Sequence, residues 1–199
     1  MSLKPNTLKL SAVVQLIDSY AGRPIVAGDV EFYLDGIRAL PLSKGQGIYA
    51  FVGLDKSHYE LLVKVDGYFP LTFTLDALNK NNVSEECTVK LLLPAPTYTY
   101  PSGITMLRGL VVGESQKPLA GVRVTSDYAT ARGAPRSSYT FTADTGRYDG
   151  RFALPVPGKI SAASEVGFQF SKTGYASIAK RVAIIVGITQ FLDVELKPN

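Results

Sequence analysis

The sequence predicts an all-β chain built as two tandem β-sandwiches, and three observations carry that prediction. Apolar and polar residues alternate along most of the chain, turn-forming residues separate the runs, and a series of landmarks recurs. The first series is Arg23-Pro24-Ile25, a Val30/Phe32 strand, Gly47-Ile48-Tyr49-Ala50-Phe51, Gly67-Tyr68, and a strand closing at Leu93-Pro94. The second is Lys117-Pro118-Leu119, a Val122/Val124 strand, Gly150-Arg151-Phe152-Ala153-Leu154, Gly174-Tyr175, and a strand closing at Lys197-Pro198. The order is the same in both, so one small β-domain is used twice.

The alternation defines the strands. Leu8, Leu10, Ala12, Val14 and Leu16 share one face, as do Val30, Phe32 and Leu34. Tyr59, Leu61, Val63 and Val65 follow, then Leu71, Phe73 and Leu75, then Val89, Leu91 and Leu93 against Thr88 and Lys90. In the second half the inward sets are Val166, Phe168 and Phe170; Ile178, Val182, Ile184 and Val186; and Leu192, Val194 and Leu196. Asp35-Gly36, Asp66-Gly67, Asp149-Gly150 and Thr173-Gly174 supply turns. Strands this short, with turns at this spacing, make sandwiches. One helical turn is expected at Asp76-Ala77-Leu78-Asn79-Lys80.

Domain limits follow from composition. Pro94-Ala95-Pro96-Thr97-Tyr98-Thr99-Tyr100-Pro101-Ser102-Gly103 holds three prolines and no alternation, which predicts a stiff extended linker over 95–103 between a domain at 1–94 and another at 104–199. Each half has enough residues for its own core. The copies differ most between proline and glycine landmarks: Pro24 to Gly47 spans 23 positions and Pro118 to Gly150 spans 32. The extra residues, within Asp127–Tyr139, predict a long loop or extended hairpin, basic and tyrosine-bearing.

The second half carries a further pattern: Leu107-Arg108-Gly109-Leu110-Val111, Lys117-Pro118-Leu119-Ala120-Gly121-Val122-Arg123-Val124, Thr142-Ala143-Asp144-Thr145-Gly146, Gly150-Arg151-Phe152, Lys172-Thr173-Gly174-Tyr175 and Val194-Glu195-Leu196-Lys197-Pro198. It resembles the carboxypeptidase regulatory-like domains, of the transthyretin-like (prealbumin-like) group. The resemblance implies Greek-key immunoglobulin-like sandwiches and a non-catalytic accessory, spacer or assembly role. The first half looks like a divergent copy that lacks the Gly109 equivalent. The group's enzyme branch, which hydrolyses 5-hydroxyisourate, relies on several histidines and a terminal Tyr-Arg-Gly-Ser. This chain has one histidine and ends Leu196-Lys197-Pro198-Asn199, so that activity is not expected.

Catalytic and metal constellations are short of residues. A Ser-His-Asp or Cys-His arrangement would have to use His58, in the polar turn Asp55-Lys56-Ser57-His58-Tyr59. One His and one Cys cannot supply the three or four ligands of the usual zinc sites. Asp144 and Asp149 offer two carboxylates where calcium wants six to eight oxygens, and a turn is the better reading. Cys87 is expected as a small buried hydrophobe on a strand. Neither catalytic residues, metal nor cofactor are expected. Asn82-Val83-Ser84 matches a glycosylation sequon, and without a secretory signal at Met1–Asn6 it is read as chance.

Charge is uneven. Residues 1–100 hold 9 Lys/Arg and 10 Asp/Glu, a net of −1, whereas 101–199 hold 12 and 7, a net of +5. Tyr128, Arg132, Arg136, Tyr139, Arg147 and Tyr148 form the candidate interaction loop. Arg and Tyr suit a protein interface; basic residues among aromatics also suit nucleic acid or glycan, and a solvated loop has the same composition. The expectation is a non-catalytic structural and interaction subunit that packs against other protein subunits, as in a phage tail or contractile injection particle. The alternative is a module for a glycan or cell-surface ligand read by the 127–149 loop. Nucleic acid is disfavoured, and no apolar run is long enough to insert in a membrane. Synthesis in the cytoplasm and a final place in an assembled particle are expected.

Overall fold

A long central strand organises each half. The computed structural model describes residues 9–26, 29–77, 87–160 and 164–199. The chain divides into two units, Met1–Pro94 and Ala95–Asn199, and both are β-sandwiches. In the first, the strands are β1 (Leu10–Asp18), β2 (Arg23–Pro24), β3 (Val30–Leu34), β4 (Ile37–Ala39), β5 (Leu42–Gly45), β6 (Ile48–Val52), β7 (His58–Val65), β8 (Leu71–Asp76) and β9 (Cys87–Leu92). One sheet pairs β5, β6 and β1, with β9 added parallel to β1, and the other runs β4-β3-β7-β8. From Ala12 onward the even-numbered residues of β1 point inward, and Ala12, Val14 and Leu16 meet Phe32, Leu61, Val63 and Leu75 in a core. Leu10, expected on the same face, is exposed because a bulge between Leu10 and Ala12 shifts the alternation and buries Ser11.

The second unit repeats this plan. Its strands are β10 (Met106–Val112), β11 (Arg123–Ala129), β12 (Pro135–Phe141), β13 (Arg151–Pro155), β14 (Ser164–Ser171), β15 (Ile178–Ile184), β16 (Thr189–Phe191) and β17 (Val194–Glu195). The sheets are β13-β10-β16, with β17 continuing beside β10, and β12-β11-β14-β15. Leu107, Val111, Phe152, Val166, Phe168 and Phe170 lie at the centre of its core. The chain crosses between the two sheets after β10, β12, β13 and β15, and the last strands return beside the first. This is the Greek-key, immunoglobulin-like arrangement.

The recurring landmarks meet at one point in each unit. Leu16 donates its N–H to the Gly47 carbonyl at 2.9 Å, and its own carbonyl accepts from Ile25 N–H at 2.9 Å. Val111 donates to Gly150 at 2.8 Å and accepts from Leu119 at 2.9 Å. The Arg-Pro-Ile and Lys-Pro-Leu segments therefore share an edge of the central strand with the glycine-led strand. Both glycines are left-handed, Gly47 at φ 70° and Gly150 at φ 70°. A Cβ on either would stand 2.6 Å from the Leu16 or Val111 carbonyl oxygen. The tyrosine landmarks also correspond: Tyr68 bridges Pro94, and Tyr175 bridges Pro198.

Several elements depart from the sequence reading. Cys87 is exposed, as are Val89 and Leu91, and Leu92 is the core residue of β9. The parallel register aligns Val13, Gln15 and Ile17 with Cys87, Val89 and Leu91. Paired residues share a face, so the outward side of β1 dictates the outward side of β9. Val186 is likewise exposed, because β15 ends at Ile184. Asp76 closes a strand instead of starting a helical turn. Leu78-Asn79-Lys80, the sequon at 82–84, Leu8 and Met1–Asn6 lie outside the described residues. His58 opens β7, and its Nδ1 lies 2.6 Å from Asp76 Oδ1 on the neighbouring strand, both side chains exposed.

The steric argument at the glycines is testable by urea unfolding. Gly47→Ala and Gly150→Ala each lose about 2–4 kcal/mol, combining a disfavoured φ with a backbone clash. Gly36→Ala, at φ 81° with nothing within 4 Å of its Cβ, bears only the conformational cost of about 1–2 kcal/mol.

Candidate interaction site

The insertion that separates the copies is a regular hairpin. β11 and β12 pair antiparallel without a break from Arg123↔Phe141 to Ala129↔Pro135. The tip is closed by Thr130 N–H to Ala134 O at 2.9 Å and Gly133 N–H to Thr130 O at 2.8 Å, and Ala131 N–H is tied to Lys159 O at 2.7 Å.

This regularity sorts the candidate residues by face. On β11, Val124, Ser126 and Tyr128 point inward. Tyr128 is 7% exposed and its hydroxyl donates to Pro157 O at 2.7 Å. Burial pushes its phenol above the ordinary range, with Arg136 pulling the other way. Tyr128 is thus a core residue that pins the tip end of the hairpin to the 157–159 segment. Arg132 stands exposed at the tip and Arg136 is exposed on β12. Tyr139 faces outward, edge-on to Phe141 at 5.9 Å, with the Arg123 guanidinium 4.8 Å above its ring.

Arg147 and Tyr148 belong to a different place. They occupy a one-turn 3-10 segment, Gly146–Tyr148, with the Arg147 guanidinium 5.0 Å from the Tyr148 ring. Tyr148 reaches a depression of about 240 Å³ with Pro96, Arg108, Arg151, Phe191 and Asp193. An adjoining one of about 380 Å³ shares Arg108 and Phe191 and adds the Tyr100–Ile104 stretch. Pro96 and Tyr100 come from the proline-rich segment, which groups with the second unit and lies over the outer face of β10. Ala153 beneath it is 1% exposed.

Arg108 is the residue that sequence reading missed here. Its guanidinium lies 6.0 Å from the Tyr100 ring, and its Nε is enclosed without a hydrogen-bond partner. Among the described residues neither Arg108 nor Arg151 forms an ion pair. The one carboxylate in the groove, Asp193, accepts from Leu110 N–H through Oδ1 at 2.9 Å. The signal was present in the sequence: a lone arginine interrupts Met106-Leu107-Arg108-Gly109-Leu110-Val111. Among the described residues, no three His, Cys, Asp or Glu side chains are grouped to hold a metal ion.

The first unit presents a second surface. The outer face of its β5-β6-β1-β9 sheet carries Leu42, Ile48, Val13, Ile17, Val89 and Leu91, with Gln15 as a polar interruption. Val89 is 54% and Leu91 62% exposed. Leu42 is 45% exposed on the same face.

No family model matches the chain, and no curated protein matches it. Among solved structures it is similar to the 3-chlorocatechol 1,2-dioxygenase of Rhodococcus opacus 1CP, at 15% identity and a TM-score of 0.38, over 50% of this chain and 61% of that one. It is also similar to the shaft pilin SpaA of Lactobacillus rhamnosus GG, at 10% identity and a TM-score of 0.33, over 97% of this chain and 98% of that one. A streptococcal ancillary pilin matches at 12% identity and a TM-score of 0.34, over 94% of this chain and 69% of the pilin. At these values none of them bears on what this chain binds.

Two substitutions separate the structural tyrosine from the surface one. Tyr128→Phe loses its buried hydrogen bond and about 1 kcal/mol of stability. Tyr139→Ala, on the outer face, stays within about 0.5 kcal/mol of wild type. Urea melts of both check the assignment; equal losses would contradict it.

Proposed function

We propose that this protein is a non-catalytic structural and interaction subunit of a larger protein assembly. The observation that carries the reading is the apolar outer face of the first unit's β5-β6-β1-β9 sheet. Exposed Val89, Leu91 and Leu42 hold no polar group that chemistry could use, and their burial against a partner is favourable by about 25 cal/mol per Å². The second unit shows how the fold handles the same face when it is not offered: a Pro/Tyr segment that turns at Pro96-Thr97, Tyr98 N–H donating to Ala95 O at 3.0 Å, lies over it. A phage tail or contractile injection particle is the assembly we propose, with other protein subunits as the partners. A place within such a particle is the matching location.

Leu42→Glu combined with Leu91→Glu tests this. Both positions are exposed, so the urea midpoint of the isolated protein stays close to wild type. Recovery of the protein in a high-mass particle from its native source falls at least tenfold. Undiminished recovery would sink the reading.

The groove supports a second reading, a surface-binding module for an anionic glycan. Arg108 and Arg151 outnumber Asp193 there, and Tyr100, Tyr148 and Phe191 offer faces for a sugar ring. This moves the reading surface from the 127–149 hairpin to the groove, with Tyr148 common to both. Acidic oligosaccharides on an array should be retained by wild type and lost with Arg108→Gln and Arg151→Gln together. Retention by the double variant would exclude the groove.

A further inference from the structure

The two copies treat the same sheet edge in opposite ways. In the second unit the strand at this edge is broken into β16 and β17 by Leu192 and Asp193. Leu192 donates its N–H to Arg108 O at 2.9 Å, and the Asp193 side chain takes the Leu110 N–H in place of a strand carbonyl. Gly109 makes the break possible, since a Cβ there would stand 1.8 Å from the Leu192 carbonyl oxygen. Short, interrupted strands are a standard protection of an exposed sheet edge.

Among the described residues the first unit lacks that protection. From the Leu16–Val111 correspondence, the position of Gly109 is held by Val14, which is fully buried. No carbonyl can bulge in over it, and β9 runs unbroken for six residues, Cys87 to Leu92, with no proline. Ser19 N–H bonds Leu92 O at 3.0 Å, so the backbone polar groups of Thr88, Lys90 and Leu92 point toward β1. Those of Cys87, Val89 and Leu91 point away and take no backbone partner among the described residues. The same three side chains are exposed on the apolar outer face.

We infer that β9 pairs antiparallel with β9 of a second copy, joining two first units through one continuous sheet. This rests on the assembly reading above and names its partner. In a continuous sheet, paired residues must share a face, so odd-numbered residues meet odd-numbered ones. A two-fold axis through Val89 pairs Val89 with itself and Cys87 with Leu91, while Thr88 faces Lys90. An axis through Lys90 would oppose two lysines, which is unfavourable. The Val89 register pairs every outward backbone group of the strand, opposes no like charges and makes the apolar face continuous across the dimer. An isologous interface of this kind closes on itself.

Two measurements on the full chain test the register. Val89→Cys in a Cys87→Ser background places the sulfurs across the axis, where antiparallel partners have Cα atoms about 5.5 Å apart, within disulfide range. Under mild oxidation it forms a covalent dimer at least tenfold faster than Thr74→Cys in the same background, an exposed site on β8. Val89→Pro removes an N–H that faces away from β1, so the edge is blocked while the fold persists, with a thermal midpoint matching that of wild type at dilutions that dissociate the dimer. By sedimentation the wild type is a dimer of the 21.4 kDa chain and Val89→Pro a monomer. A Val89→Cys rate equal to the Thr74→Cys control overturns the pairing. A monomeric wild type whose recovery in a native high-mass particle is still abolished by Val89→Pro overturns self-pairing and leaves the assembly reading standing. A monomeric wild type found in no particle overturns both.

Discussion

Each sandwich depends on one crowded point on the edge of its central strand. A single residue there, Leu16 or Val111, serves two neighbours: its N–H goes to a glycine carbonyl and its carbonyl to the residue after a proline. The glycine must adopt a left-handed φ and must lack a Cβ, because the side chain would run into that same carbonyl. Proline fits just before, where it presets φ and has no N–H to leave unpaired. The Pro and Gly landmarks, far apart in sequence, are therefore two halves of one contact. Once it forms, the first sheet is registered against β1 or β10, and the alternation along each strand decides what enters the core.

The copies then diverge in a way that one residue explains. Gly109 admits the Leu192 carbonyl and lets the last strand break. Val14 fills that space with a buried side chain and keeps β9 whole. What reads in the sequence as a missing landmark in a divergent copy is a difference in edge treatment. A second difference runs the same way. The outer face of β10 lies under the Pro/Tyr segment, whereas on the equivalent face of the first unit Val89 and Leu91 are exposed.

The fold was legible where alternation is unambiguous. Tyr59, Leu61, Val63 and Val65 alternate with Glu60 and Lys64, Phe168 and Phe170 flank Gln169, and all of these apolar residues fall inward. Cys87-Thr88-Val89-Lys90-Leu91-Leu92 ends in two adjacent leucines, so its phase is set by pairing with β1, which is a non-local fact. Tyr128 was legible in principle: Val122, Val124, Ser126 and Tyr128 keep one inward phase, but its place beside a polar insertion drew it into the loop. Tyr148 was found, as was Arg151 among the basic residues near it, and Pro96, Arg108 and Phe191 were not. The groove is assembled from Pro96, Arg108, Tyr148, Arg151 and Phe191, which only folding brings together.

The central claim is that the edge left intact by Val14 is the one used for association. Hydrogen exchange resolved at single amides, followed as the protein is diluted, examines it most directly. The Val89 and Leu91 N–H groups face away from β1, so in an isolated chain they exchange as free edge amides. The account predicts slow exchange at high concentration that accelerates at least tenfold on dilution, while Lys90 and Leu92, bonded to β1, do not change. Exchange at Val89 and Leu91 that is fast at every concentration, or slow without any dependence on it, would contradict the account.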